Sequence, residues 1–378
     1  MAPQQPRPLD GDALLTMRIL VGAGGTVTAQ SVIKALRLDD RATFVAAVDM
    51  DPMNATKAFV DAFVQVPPAT SPGYARACLD AARQLKIDLF IPLIVEKEFL
   101  PLDAVRAEFE RLGCRLWVPE RSIVRKTGDK LAFAQFLAEV GIPGPRTVEY
   151  STSVSGIAFP AYVKPRHGSG SVGTVYVTNE YLMHEAAKGR SDLIVQEAAA
   201  GKEFTVDCFA GQSGRVAAAV PRERIAVKAG VSVKGRTYHH PEIERIASEV
   251  VEKSGIVGPA NVQGMLADDG SFSVIEMNPR FSGTLALTTA AGINFASLLL
   301  DCAQGKTIPD LRGRHRAGVT MVRYWSELFE MPDGSTVTGT LLPPQPSTLN
   351  SPVSSGATSL ESSERPRSKR SSTPRVPR

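Results

Sequence analysis

The chain has 378 residues, enough for two or three domains, and its 43% apolar content is ordinary for a globular protein. No apolar run is long enough to span a membrane, and the N-terminal MAPQQPRPLDGDALLT lacks the apolar stretch of a secretory signal. Of the net charge of +4, all lies in residues 335–378, with six basic and two acidic side chains; the balanced remainder gives nucleic-acid binding no electrostatic support.

Cys78, Cys114, Cys208 and Cys302 are dispersed without CxxC spacing, as expected of free thiols in a cytoplasmic protein. From Met17, MRILVGAGGTVTAQSVIKALRL reads as strand, glycine turn and helix. ATFVAAVDMDP follows as a buried strand ending in acids. GYARACLDAARQLKI then reads as a helix, DLFIPLI as a strand, EFLPLDAVRAEFERLG as a helix and CRLWVPE as a strand. Strands alternating with helices predict a parallel-sheet α/β domain over residues 17–122, preceded by a flexible segment 1–16. The turn Gly22-Ala23-Gly24-Gly25 resembles a dinucleotide loop, but Val27 stands where the fingerprint needs Gly or Ala. A plain tight strand-to-helix turn is the better account of those glycines. Glu96 and Glu98 lie where a parallel strand ends, facing a cleft or capping a helix.

GDKLAFAQFLAEVGIPGP predicts a helix stopped by Gly141 and Pro143. Beyond it short strands dominate: AYVKP, GTVYVT, DLIVQEA, EFTVDCFA, GRVAAAVP, NVQGMLAD and FSVIEMN. One amphipathic helix, PEIERIASEVVEKSG, interrupts them, so residues 123–330 read as an α+β module. In residues 335–378, Ser and Pro make up 18 of 44 positions and aromatics are absent, which predicts a disordered tail.

Three stretches carry chemistry. YVKPRHGSGSVGTVYV sets Lys164 at a strand end before Gly168, Ser169, Gly170, Ser171 and Gly173. Backbone N–H groups and serine hydroxyls in such a hairpin can hold phosphate oxygens, although a mobile Gly/Ser hairpin has the same composition. His167 flanks that loop. DLIVQEAAAGKEFTVDCF ends one strand at Gln196-Glu197, followed by Ala198 and Ala199, and starts the next at Glu203. Glu197 with the nearby backbone suits adenine, and Glu203 suits ribose hydroxyls. In VIEMNPRFSG, alternation turns Glu276, Asn278 and Arg280 one way and Met277 and Pro279 the other. Gln263 on the preceding strand of the hairpin faces Glu276 and Asn278. Oxygen-only ligands of this kind suit Mg²⁺ shared with nucleotide phosphates, and Arg280 suits a phosphoryl group or oxyanion. In VPRERIAVKAG, Arg222 and Arg224 share a strand face and could clamp a substrate carboxylate, unless the strand is simply charged and exposed. The His239-His240 pair lacks HExxH spacing and has no nearby Cys, so the sequence offers little for zinc there.

Taken in order, Asp129-Lys130, Lys164, GSGSVG, VQE, Glu203, NVQ and IEMNPR resemble the ATP-grasp superfamily, nearest its carbamoyl-phosphate-synthase-like branch. The resemblance covers residues 125–305 and implies a preceding α/β domain and a two-lobed ATP-grasp module. It implies that Lys130 and Lys164 contact ATP phosphates, Glu197 the adenine and Glu203 the ribose. Gln263, Glu276 and Asn278 would hold magnesium, with manganese as the alternative ion. The segment FSGTLALTTAAG after the metal motif departs from the Gln-Val-Glu-His of biotin carboxylases. The single synthetase unit departs from carbamoyl-phosphate synthases. The implied function is a stand-alone ligase that activates a carboxylate as an acyl phosphate for attack by an amine. Arg280 and Arg222 would stabilise the reacting groups, with small-molecule partners and room for a homodimer. The alternatives are a nucleotide-binding regulatory protein without turnover and, using the Gly22 turn, a dinucleotide-dependent reductase.

Overall fold

The computed structural model describes residues 16–333, apart from Ser169 and Ala229, together with residues 336–339. The expected flexible segment 1–16, save Thr16, and most of the expected disordered tail lie outside the described residues. One correction applies to the tail's start, because Thr336–Gly339 is a strand paired antiparallel with Glu327–Glu330.

The first unit runs β1 (Met17–Val21), α1 (Val27–Leu36), β2 (Ala42–Asp49), β3 (Ala62–Gln65), α2 (Tyr74–Gln84) and β4 (Leu89–Ile91). A π-helical turn at Val95–Phe99, α3 (Leu100–Asp103), α4 (Arg106–Arg111) and β5 (Arg115–Leu116) complete it. The predicted helix over EFLPLDAVRAEFERLG is thus broken into pieces, and β3 was not anticipated. The sheet is parallel in the order β3-β2-β1-β4-β5. Its strands are apolar runs because helices cover both faces. Thr26 starts α1 by accepting a hydrogen bond from Ala29 N–H.

Next come α5 (Arg121–Gly128) and α6 (Lys130–Glu139), then a four-stranded antiparallel sheet in the order β6-β9-β7-β8. Its strands are β6 (Thr147–Glu149), β7 (Ala161–Pro165), β8 (Val175–Val177) and β9 (Leu193–Glu197), with α7 (Glu180–Ala187) on one face. The larger sheet has the order β14-β13-β10-β11-β12-β15. It is built from β10 (Lys202–Ala210), β11 (Val216–Lys228), β12 (Val231–Thr237), β13 (Gly258–Leu266), β14 (Phe272–Asn278) and β15 (Thr320–Val322). Helix α8 (Pro241–Ser254) covers one face, with His240 accepting from Ile243 N–H at its start and Gly255 left-handed at its end. α9 (Leu285–Ala290) and α10 (Phe295–Ala303) return the chain toward the first unit. The ribbon of β16 (Glu327–Glu330) and β17 (Thr336–Gly339) closes the described chain.

The first unit and the larger sheet share one core, in which Ile19, Val32 and Leu36 pack with Phe209, Phe281, Phe295 and Leu299. Arg41 reaches across this junction to Asp301 (2.5 Å) and the Ser297 carbonyl (3.1 Å) while paired to Asp39. All four cysteines are free and buried, as expected. Among the described residues, no helix is long and apolar enough to cross a membrane.

Candidate active site

Strand register builds the site. Gln263 on β13 pairs with Thr205 of β10 and Glu276 of β14, while Asn261 pairs with Asp207 and Asn278. Arg222 on β11 pairs with Thr205. These side chains line one face of the larger sheet, opposite the face that α8 covers. A bulge makes this possible. Gly264 pairs with Val274 but Gln263 with Glu276, so Ile275 is an extra residue on β14. Val274 and Met277, three positions apart, therefore both point into the α8 core, and Glu276 and Asn278 turn to the open face. Strict alternation would have put Glu276 on the same side as Val274.

On that face, Asn278 Nδ2 donates to Glu276 Oε1 (3.1 Å) and Gln263 Nε2 to Asn261 Oδ1 (3.2 Å). The donor set is carboxylate and amide oxygen throughout, which fits a hard divalent cation such as Mg²⁺. Across from it, on β7, Lys164 donates to Gln196 Oε1 (2.6 Å), and Gln196 in turn donates to Thr147 (2.8 Å). Burial pulls the Lys164 ammonium down to about 8, Glu276 works against that, and Lys130 adds to it. Lys164 is therefore the electrostatic neighbour of both Lys130 and the expected metal carboxylate, although it lies on a different sheet from Glu276.

Lys130 opens α6 and donates to the Gly168 carbonyl (2.7 Å). Asp129 caps the same helix and is held by Arg166 through both carboxylate oxygens, at 2.8 and 2.7 Å. The glycine loop joins β7 to β8 as the expected hairpin. Gly168, Gly170, Ser171 and Gly173 all have left-handed φ, a conformation that glycine adopts without strain. A side-chain carbon placed on Gly230, in the β11–β12 turn, would lie 3.6 Å from Gly170 Cα. The hairpin tip thus meets the larger sheet. Ser169 lies outside the described residues.

Several side chains expected in the site have other partners. Arg222 is 3% exposed and donates to Asp207 at 2.8 Å. Asp207 also accepts from Asn261 (3.1 Å), Ser282 (2.9 Å) and Thr288 (2.6 Å). Burial alone would raise the Asp207 carboxyl, but Arg222 and the two hydroxyls outweigh it and hold it below the usual carboxylate range. Arg222 is therefore locked in an internal ion pair rather than presented as an open clamp. Arg224 donates to Glu203 (2.5 Å) and to Gln263 Oε1 (3.1 Å), tying the expected substrate, ribose and metal positions together. Glu197 accepts from Ala158 N–H (2.9 Å), and Ala198 N–H donates to the Pro160 carbonyl (2.9 Å). Ala199 follows directly. Arg280 lies past the end of β14 in a tight turn, where its guanidinium donates to the Phe281 carbonyl (2.8 Å).

Sequence reasoning missed Asp207, Asn261 and Arg323. An acid inside the apolar strand EFTVDCFA was the available signal for Asp207, since a buried carboxylate needs partners. Arg323, just past β15, donates to the Gly283 carbonyl and has a buried Nε without a partner. The Gly22–Gly25 turn is occupied by its own chain. Gly25 N–H donates to Asp49 (2.7 Å), and a side chain on Gly22 would meet the Glu98 carboxylate at 2.6 Å. Glu98 is buried and accepts from Tyr74, Leu93 N–H and Ile94 N–H, so it stabilises the loop after β4 rather than facing a cleft.

Comparison with known proteins agrees with this architecture. The region that carries the larger sheet and its oxygen-ligand hairpin matches an ATP-grasp family model, and the parallel-sheet domain matches a separate one. Residues 189–325 match the family described as ATP-grasp in the biosynthetic pathway with Ter operon. Residues 19–117 match the PylC-like N-terminal domain. The carbamoyl phosphate synthase large chain of Myxococcus xanthus is 26% identical over 341 residues, covering 78% of this chain and 30% of that protein. The arginine-specific large chain of Eremothecium gossypii is 25% identical over 224 residues, covering 53% and 20%. The chain thus spans less than a third of the length of these relatives. In fold it is similar to N5-carboxyaminoimidazole synthetase from Staphylococcus aureus complexed with ADP. That match has a TM-score of 0.64, 16% identity and coverage of 79% and 82%. It is also similar to L-amino acid ligase from Bacillus licheniformis, with a TM-score of 0.61, 18% identity and coverage of 83% and 82%.

Proposed function

We propose that this protein is an ATP-dependent ligase that activates a carboxylate as an acyl phosphate for attack by an amine, releasing ADP. The observation that carries this reading is that Lys164 lies within electrostatic reach of both Lys130 and Glu276, with Gln263 and Asn278 beside the carboxylate. The fold shared with ATP-consuming ligases supports it.

Lys130, Lys164 and the loop Gly168–Gly173 would hold the phosphates. Gln196, Glu197, Ala198 and Ala199 would border the adenine, with Glu203 toward the ribose once Arg224 releases it. Gln263, Glu276 and Asn278 would hold Mg²⁺ or Mn²⁺, which neutralises γ-phosphate charge during in-line transfer. The protein's own contribution is positioning and charge. Arg280 and Arg224 would face the transferred group and the oxyanion of the tetrahedral intermediate. Arg222 would act by fixing Asp207 and the strand ends rather than by touching substrate. The substrates are small molecules, and a homodimer is compatible with the reading.

Hydroxylamine traps acyl phosphates as hydroxamates. With Mg-ATP and a pooled carboxylic- and amino-acid library, wild type should form hydroxamate, and none without Mg-ATP. Glu276→Gln should fold and bind ATP but form essentially none, because the charge that retains the cation is gone. Arg280→Ala should retain a residue, lower by on the order of 10²–10³ in rate. Wild-type turnover by Glu276→Gln would overturn the assignment of that strand. Nucleotide binding by wild type without hydroxamate or product from any acid would favour a regulatory role.

A further inference from the structure

Away from this face, at the junction of β12 and α8, the ligating atoms of His239, Glu244 and His315 lie within 4.8 Å of one another. His315 comes from the connection between α10 and β15, so only folding brings it to the other two. Its side chain is 2% exposed, and its Nε2 is 2.8 Å from the Tyr238 carbonyl. A carbonyl can only accept, so Nε2 carries the proton and Nδ1 carries the lone pair. That buried Nδ1 has no hydrogen-bond partner. An imidazole whose far N–H is anchored to a backbone carbonyl while its near nitrogen stands bare has the arrangement of a metal ligand.

The other two groups complete a set. The His239 ring centre is 4.1 Å from that of His315, and His239 Nδ1 is 3.5 Å from Glu244 Oε1. Glu244 lies in the first turn of α8, where the same Oε1 accepts from His240 N–H (3.2 Å). His240 itself is used as the helix cap and points elsewhere. His239 is 46% exposed, which gives an ion a path from solvent.

We propose that His239, Glu244 and His315 form a zinc site that staples the α10–β15 connection to the start of α8. Two imidazoles and one carboxylate match the ligand preferences of Zn²⁺ and leave a fourth, solvent-facing position for water. The set differs in kind from the oxygen-only Glu276 set, and the inference does not depend on the ligase reading. The staple acts at a structural joint. Thr237 already accepts from Gly318 N–H and donates to the Arg316 carbonyl, both within that connection. An ion there would fix β15 on the edge of the sheet whose face bears the candidate site.

The test uses the full-length protein stripped with a chelator and then titrated with ZnCl₂ in millimolar Mg²⁺, which occupies hard oxygen ligands. One equivalent should bind, Co²⁺ in its place should show the visible absorption of tetrahedral coordination, and Tm should rise with zinc concentration. His239→Ala and Glu244→Gln should each weaken zinc binding by on the order of 100-fold while leaving the metal-free Tm unchanged. Glu276→Gln should retain the zinc equivalent. His315→Gln serves only as confirmation, since it alters a buried position. Absence of saturable zinc binding would overturn the proposal, and so would an equivalent that survives in the His239→Ala, Glu244→Gln double variant.

Discussion

Lys164 illustrates how a single residue couples the candidate site to pH. Its ammonium titrates near 8, chiefly because it is drawn out of water, whereas in the unfolded chain it titrates near the ordinary lysine value. Between about pH 8 and 10.5 the unfolded chain therefore binds more protons, and stability of the nucleotide-free protein should rise with pH across that window. Nucleotide binding should show the opposite trend, since the proton that burial removes is the one a phosphate needs. Calorimetry between pH 7 and 9.5 should find Mg-ATP affinity falling by on the order of tenfold as Lys164 deprotonates. Lys164→Met should bind weakly at every pH, with that trend gone. An unchanged slope in Lys164→Met would assign the titration to another group. Arg222 shows the reverse relation between sequence and role. Its charge looks available on paper, yet it is sealed against Asp207, and removing one partner of such a pair leaves the other buried and uncompensated.

At the scale of the element, the bulge in β14 decides which residues reach the site. It is held by the absence of a side chain at Gly264, where a Cβ would lie 2.5 Å from both the Ser273 carbonyl and the Phe272 ring. Gly264→Ala must push β13 and β14 apart or slip their register, with a destabilisation of about 1–3 kcal/mol expected from overpacking. Because the bulge turns Glu276 outward, hydroxamate formation should fall further than the stability loss alone explains. Gly128→Ala, at the end of α5 with nothing within 4 Å of the added carbon, is the matched control. It should leave both stability and activity unchanged or slightly improve the former. Urea unfolding with parallel turnover assays separates the two effects. Equal loss of activity in both variants would show that the bulge does not position Glu276.

At the scale of the whole molecule, the first unit and the larger sheet are joined by a shared apolar core, so a single cooperative unfolding transition is expected. The polar clamp of that junction is Arg41, which is 9% exposed in its side chain and bonded to Asp39 and Asp301. The Arg41 guanidinium holds the Asp39 carboxyl down to about 2. A depressed carboxylate contributes stability above its unfolded value near 4 and loses it as pH falls through 2. The contribution at neutral pH is on the order of 2 kcal/mol. Denaturant midpoints at pH 5 and pH 3 should therefore differ more for wild type than for Arg41→Met. That variant should also be less stable at pH 5 by about 3 kcal/mol, because the Asp39 and Asp301 carboxylates lose their partner. Identical acid sensitivity in the two proteins would show that this junction carries no such linkage.

Much of this protein is legible in its order of residues because the relevant signals are local. The buried apolar runs of β1, β2 and β10, the amphipathic period of α8 and the Gly-rich hairpin after Lys164 all announce themselves within about a dozen residues. The order of Lys130, Lys164, Glu203, Gln263 and Glu276 extends over a much longer stretch and is legible through its resemblance to the ATP-grasp superfamily. Short elements do not announce themselves, because β3, β6 and β15 are too brief to show a period and are strands only by virtue of their neighbours. Register, burial and loop packing belong to the tertiary structure alone. The extra residue at Ile275, the capture of Arg222 by Asp207 and the approach of His315 to His239 each join segments distant in sequence. Local pattern can nominate a charged or ligating side chain, but only the packing of the rest of the chain settles which partner it meets.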